Sequence, residues 1–168
     1  MNKPIYQFFT TDHHRIEDLL AQATTNPDKY DMDIYFKFRA GLLTHIKMEE
    51  KILFPAAQKA NNNIPLPIAA RLRLEHGAIT ALMVPPPTED LLKVLRHVLE
   101  KHDLAEEEPG GMYEACEALA ANQTQEILDQ LAQVTEVPVH PHNTAAYALD
   151  AAKRALLRAG YNYDELAK

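Results

Sequence analysis

Apolar residues recur with the period of an α-helix over four long segments of the chain. Within each segment they return at intervals of three and four residues, so that they share one helix face. Asparagine, proline and glycine residues interrupt the pattern between segments, since proline lacks an amide donor and clashes with the preceding helical turn. The pattern therefore predicts long helices over residues 4–23, 33–59, 67–83 and 89–108.

The remaining sequence predicts shorter helices. Asn143 and Gly160 are placed to cap the start and the end of the last one. Only 5 glycines occur, which disfavours a fold rich in β-hairpins. Short connections favour antiparallel neighbours, so the predicted fold class is all-α, an antiparallel up-down four-helix bundle with additional C-terminal helices. The shorter helices are predicted over residues 112–121, 124–134 and 143–159.

Histidine residues recur on the apolar stripes of the long helices, and this pattern stops beyond Asn122. The chain is therefore predicted to consist of a bundle over residues 1–121 and a helical extension over residues 122–168. The extension carries a stripe of small residues that suits close helix packing. We expect it to pack along the bundle or to form a subunit interface, which makes a homo-oligomer possible. The stripe consists of Ala145, Ala148, Ala152 and Leu156.

Composition and charge narrow the class of partners. The 168 residues include 17 Lys and Arg against 24 Asp and Glu, a formal charge of −7, which argues against nucleic acid and against an anionic membrane surface. The single cysteine, Cys116, excludes an intramolecular disulfide and a cysteine-rich zinc site. No apolar run approaches the length of a membrane span, and the N-terminus does not resemble a signal peptide. We therefore expect a cytoplasmic protein.

Histidine and glutamate occupy the apolar stripes of the long helices. His45 and Glu49 lie four residues apart, as do His102 and Glu106, so each pair points to one side of its helix. The first and third long helices each add one histidine to their apolar stripe, which gives two hairpins with the same set of groups. The two additional histidines are His13 and His76.

This placement indicates a metal site. A buried carboxylate is costly unless it is paired or binds a metal ion, and two carboxylates beside four imidazoles are difficult to explain as core packing. A pair of divalent or trivalent ions satisfies all six groups. Imidazole and carboxylate suit iron, and no thiolate is available to favour a softer metal. The i, i+4 spacing alone is weak, since it also occurs at His13 and Glu17.

Four short segments together resemble the hemerythrin-like, cation-binding (HHE) family. Residues 45–55, HIKMEEKILFP, are similar to its signature, and three further segments follow the order of its other ligand segments. The resemblance extends over about residues 4–121, whereas the sequence from Asn122 onward carries no motif. The three further segments are Asp12-His13, Glu75-His76 and residues 102–107, HDLAEE.

The resemblance implies a bundle that holds two non-haem iron ions, bridged by oxide or hydroxide, with zinc or manganese as possible replacements. Carried over to this sequence, one ion is bound by His13 and His45, and the other by His76 and His102. Glu49 and Glu106 are the bridging carboxylates. Asp12, Glu75 and Asp103 are candidates for orienting the histidines through their second ring nitrogen.

Two departures from the oxygen-carrying members of the family bear on function. Those proteins have another histidine one turn after the third-helix ligand, where this chain has Thr80, a poor ligand. Each ion then has an open position, which favours turnover or sensing over reversible carriage. In addition, the fourth motif lacks the Leu-Phe-Pro ending seen at residues 53–55. Pro109-Gly110-Gly111 stands there instead and predicts a kink below the site.

The resulting hypothesis is a di-iron protein that binds or senses dioxygen, nitric oxide or iron, with a small diatomic molecule or peroxide as its ligand. One alternative is a di-iron enzyme that consumes peroxide, nitric oxide or dioxygen, and the sequence does not decide whether the protein is an enzyme. The other is a non-redox zinc-, manganese- or iron-binding protein. Tyr113 is expected in the core, or beside a bound ligand, and Glu107 is expected in solvent.

Overall fold

The structure, a computed structural model, describes residues 2–168 and contains only helices and connecting segments over that range. The predicted all-α class is confirmed, while the up-down arrangement of four helices stays a prediction. No helix among these residues has the length and apolar character needed to cross a membrane. The helices are α1 (Pro4–Ala23), α2 (Met32–Met48), α3 (Phe54–Ala60), α4 (Ala69–Leu82), α5 (Glu89–Glu107), α6 (Met112–Leu119), α7 (Thr124–Ala132), α8 (Ala146–Arg158) and α9 (Tyr163–Leu166).

The described chain forms two compact units, each built from two stretches of sequence. The first unit contains the chain up to Pro67 together with Ala105–Val139, and the second contains Ile68–Leu104 together with His140–Lys168. The division into a bundle over 1–121 and an extension over 122–168 stays a prediction.

In the first unit, α1 packs along α2, and α6 packs against α1 and α3. The apolar stripe of α1 is fully or almost fully buried, as the periodicity predicts. Helix α7 contacts α1 and the segment that follows α2. Burial of each large side chain contributes about 1.5–3 kcal/mol to the core. The buried apolar residues of α1 include Ile5, Phe9, Ile16 and Leu20.

The helix predicted over 33–59 contains a turn that the sequence analysis did not anticipate. Glu49–Leu53 forms a π-helical turn between α2 and α3, and the amide of Phe54 donates to the carbonyl of Glu49, five residues back. Pro55 explains the wider turn, because a proline ring clashes with the carbonyl four residues before it in a regular α-helix. The π-helical turn begins at one of the predicted ligands.

In the second unit, α4 packs against α8, and α9 packs against α8. The stripe of small residues is buried in this packing at Ala148, Ala152 and Leu156, whereas Ala145 is exposed. Gly160 follows α8 with a φ of +91°, as expected for a glycine that ends a helix.

The predicted start of α8 at Asn143 is wrong. The helix begins at Ala146, and the Asn143 side chain accepts a hydrogen bond from the Ala145 amide at 3.0 Å, before the helix starts. Asparagine readily forms such a local turn, which competes with helix capping.

Candidate metal centre

Four of the six predicted ligands converge within the first unit. His13 comes from α1, His45 from α2, Glu49 from the π-helical turn and Glu106 from the end of α5. Their donor atoms all lie within 4.8 Å of one another, and none of the four residues is more than 4% exposed. We refer to these four residues as the first-unit cluster.

Sequence spacing within α2 and contacts between helices together assemble the first-unit cluster. His45 and Glu49 are one turn apart, and Nε2 of His45 lies 3.2 Å from Oε1 of Glu49. Nε2 of His13 lies 3.3 Å from Oε2 of Glu106. The centres of the two imidazole rings are 4.5 Å apart, so both rings present Nε2 to the same small volume.

Each imidazole of the first-unit cluster has a carboxylate partner at its other nitrogen. Nδ1 of His45 lies 2.8 Å from Oδ2 of Asp12, and Nδ1 of His13 lies 2.5 Å from Oε1 of Glu107. Asp12 therefore has the orienting position predicted for it. The expectation for Glu107 is wrong, because it is half-buried against His13 rather than in solvent. A proton held at Nδ1 leaves the lone pair of Nε2 available to a metal ion.

Burial and the neighbouring carboxylates act in opposite directions on the pKa of His45. Burial disfavours the imidazolium, but Glu49 and Asp12 together outweigh burial and raise the pKa of His45 to about 9. Burial also opposes ionisation of Asp12, yet its bonds to His45 and Arg15 keep the pKa of that carboxyl below its usual range. A cation is therefore favoured inside the first-unit cluster.

Tyr113 places its hydroxyl at the centre of the first-unit cluster. The hydroxyl oxygen lies 2.5 Å from Oε1 of Glu49, 2.9 Å from Oε2 of Glu106, 3.0 Å from Nε2 of His13 and 3.2 Å from Nε2 of His45. Burial, followed by the charges of Glu106 and Glu49, raises the pKa of Tyr113 well above its usual value.

The glycines after α5 allow Tyr113 to reach this position. Gly110 has a φ of +79°, which other residues adopt only with strain. A Cβ atom on Gly111 would lie 2.7 Å from the carbonyl oxygen of Ala105. The chain thus turns tightly after Glu107, and α6 returns a tyrosine toward the last turn of α5.

The second unit contains the other two predicted ligands. His76 of α4 and His102 of α5 are buried, and the centres of their rings are 4.7 Å apart. Oε2 of Glu75 lies 2.7 Å from Nδ1 of His102, so Glu75 has the orienting position predicted for it. The other oxygen, Oε1, accepts hydrogen bonds at 3.0 Å from Arg71 and from the Tyr161 hydroxyl of the C-terminal extension.

The comparison with protein families gives a clear result. The family model of the hemerythrin HHE cation binding domain matches residues 5–120, more than half of the chain. The chain belongs to this family. The comparisons with curated proteins and with solved structures found no match. The resemblance inferred from the four motifs, over about residues 4–121, is confirmed.

The first-unit cluster of this hemerythrin HHE domain has the donor chemistry of a metal site. Two buried carboxylates lie beside each other, which is costly without a neutralising cation. The orienting bonds from Asp12 and Glu107 direct the imidazole Nε2 atoms toward those carboxylates. Nitrogen and oxygen donors of this kind suit iron, zinc and manganese. The residues therefore fit the cation that the family name describes.

The side chain of Thr80 is not part of the buried core. It lies one turn after His76 but is exposed, while His76 itself is buried. That Thr80 is not a ligand stays a prediction.

Cys116 is expected to be chemically inert in the folded HHE domain. Its side chain is fully buried, and burial, followed by the charges of Glu49 and Glu106, raises the pKa of its thiol far above neutrality. A thiol reagent at pH 7 should therefore modify it only after unfolding. Mass spectrometry before and after denaturation measures this difference, and rapid stoichiometric modification of the native protein would contradict the described burial.

Proposed function

We propose that this HHE domain is a non-haem di-iron protein that binds or senses dioxygen, nitric oxide or iron. The observation that carries the proposal is the first-unit cluster, in which two imidazoles and two carboxylates are buried and converge. In the proposal, His13 and His45 bind one ion, and His76 and His102 bind the other. Glu49 and Glu106 contribute to both. The family match supports cation binding, and the donor set supports iron.

The chain's own residues have defined tasks in this proposal. Asp12 and Glu107 hold the two first-unit imidazoles in the orientation that presents Nε2, and Glu75 does the same for His102. The apolar residues of α1 exclude water and strengthen the electrostatic interactions. Iron bound there supplies Lewis acidity, redox change and coordination positions for a small ligand.

A metal analysis with two paired variants tests the proposal. The purified protein should contain about two iron ions per chain, since four imidazoles and two carboxylates supply ligands for a pair. His13→Ala should lose iron, because His13 is buried in the first-unit cluster. His14→Ala, which changes the exposed neighbour, should retain it. Equal iron content in the two variants would contradict the assigned ligands.

A second measurement distinguishes iron from the alternative metals. The protein is reduced without oxygen, then exposed separately to dioxygen and nitric oxide while its absorption spectrum is recorded. Spectral changes that saturate with each gas support the proposed ligand class. Stoichiometric zinc or manganese, with no spectral response, would instead support a non-redox metal-binding protein. Continuous loss of added peroxide would support the enzyme alternative.

A further inference from the structure

The hydroxyl of Tyr113 has too few protons for its neighbours. A phenol has one proton, which can be donated to one acceptor. Around this oxygen lie two carboxylate oxygens and two imidazole Nε2 atoms, all between 2.5 and 3.2 Å away. In the metal-binding state the imidazoles are neutral and Asp12 and Glu107 accept their Nδ1 protons, so that each Nε2 presents a lone pair. In that state five electron-rich atoms face one another.

The distances between these five atoms match those around a metal ion. When ligands lie about 2.1 Å from an ion in octahedral geometry, neighbouring donors are separated by about 3.0 Å. Three donors of the first-unit cluster lie 2.9–3.2 Å from the Tyr113 oxygen, close to this separation, and Oε1 of Glu49 lies nearer, at 2.5 Å. In an octahedron, each vertex likewise has four neighbouring vertices at equal distance.

The ring of Tyr113 is held firmly in place. Phe9 stacks on it, with ring centres 5.1 Å apart and planes at 25°, and Tyr6 meets it edge-on at 6.3 Å. The side chain is fully buried. Its oxygen is therefore directed at the first-unit cluster by packing on both sides and by the glycine turn after α5.

We propose that Tyr113 is a fifth protein ligand, which binds the ion of His13 and His45 through its phenolic oxygen. This inference rests on the proposed function, since it assigns one more donor to the same site. The ion displaces the phenolic proton and the proton at Nε2 of His45, both of which pass to solvent, and the five facing donors then share one cation. Tyr113 fills the position that the six-ligand set leaves open on this ion, so an external ligand has to displace it.

Tyr113→Phe tests the inference in the iron-loaded protein. Ferric iron bound to a phenolate has a visible charge-transfer absorption, with phenolate vibrations enhanced in resonance Raman spectra. We expect both signals in the wild type and their loss in Tyr113→Phe, which retains iron through the remaining ligands. Tyr6→Phe is the matched control, because Tyr6 packs on the same ring but donates its hydroxyl proton to the backbone carbonyl of Glu107, at 3.0 Å. It should keep both signals.

Azide binding provides a second readout. If Tyr113 occupies the open position more than about nine-tenths of the time, the apparent affinity for azide is reduced at least tenfold. Titration of ferric Tyr113→Phe with azide should therefore show roughly tenfold tighter binding than the wild type or Tyr6→Phe.

The possible outcomes separate this inference from the proposed function. Iron-loaded wild type without phenolate signals, and with the azide affinity of Tyr113→Phe, overturns the role of Tyr113 but leaves the di-iron proposal standing. A wild type that takes up no iron overturns both. Loss of iron from Tyr113→Phe, with phenolate signals in the wild type, supports ligation and shows that the ion depends on it.

Discussion

Glu106→Gln is expected to remove the bound metal while leaving the metal-free protein at least as stable as the wild type. Glu106 is fully buried, and its Oε2 lies 2.9 Å from the Tyr113 hydroxyl and 3.3 Å from Nε2 of His13. Without a cation, a carboxylate in this position is costly, so a neutral amide of the same shape is tolerated or favoured. With a cation bound, the negative charge of Glu106 is needed, so the same substitution should destabilise the metal-loaded protein.

The size of this effect follows from binding linkage. A metal present at about a thousand times its dissociation constant stabilises the folded protein by about 4 kcal/mol. Glu106→Gln should lose most of this increment. Thermal or denaturant unfolding, recorded with metal and with a chelator, measures both states of each protein.

Glu108→Gln is the control for this experiment. Glu108 lies two residues further along and is exposed, so its replacement should change neither metal content nor the metal-dependent increment by more than about 0.5 kcal/mol. If Glu106→Gln keeps the full increment, or destabilises the metal-free protein as much as the loaded one, the carboxylate has a structural role only.

The sequence was sufficient to predict the helices and the burial of the four residues of the first-unit cluster, because both depend largely on local periodicity. Residues one turn apart share a face, so the stripes that contain His13 and His45 are buried. Asp12, which orients His45, was a candidate because it directly precedes His13 in one of the four motif segments. The family motifs add the order of the segments, which single helices do not specify.

Features that depend on the path of the chain between helices were missed. Glu107 was assigned to solvent because its contact with His13 joins residues 94 positions apart. Tyr113 reaches the first-unit cluster only because Gly110 and Gly111 allow a tight turn, and side-chain periodicity does not describe such a turn. The π-helical turn at Glu49 had a signal in Pro55, which is not compatible with a regular α-helix at that point.

In the second unit, too, a contact made by the C-terminal extension could not be predicted from helical periodicity. Tyr161, from a segment with no motif, donates to the buried Glu75. The helical period of α8 predicted a packing stripe, but not the helix that it packs against. The partner, α4, carries His76, so the extension belongs to the surroundings of a predicted ligand.

Glu75→Ala is expected to produce a large loss of stability in the second unit. Glu75 is fully buried and binds His102, Arg71 and Tyr161 through its two oxygens. Burial opposes its ionisation, but the bonds to His102 and Arg71 hold the pKa of this carboxyl below the usual 4.5. Its removal leaves the buried imidazole of His102 and the half-buried hydroxyl of Tyr161 without their acceptor, which should cost about 3 kcal/mol at neutral pH.

The pH dependence of this loss has a definite sign. Because the folded-state pKa of Glu75 is depressed, its contribution is present above the unfolded value of 4.5 and is lost as the pH falls through the folded value. Unfolding of metal-free wild type and Glu75→Ala should therefore differ most near pH 7 and converge in acid. Glu100→Ala, an exposed change on α5, should stay within about 0.5 kcal/mol of the wild type throughout. A pH-independent difference, or a Glu75→Ala protein as stable as Glu100→Ala at pH 7, would show that the bonds of Glu75 to His102, Arg71 and Tyr161 do not stabilise the unit.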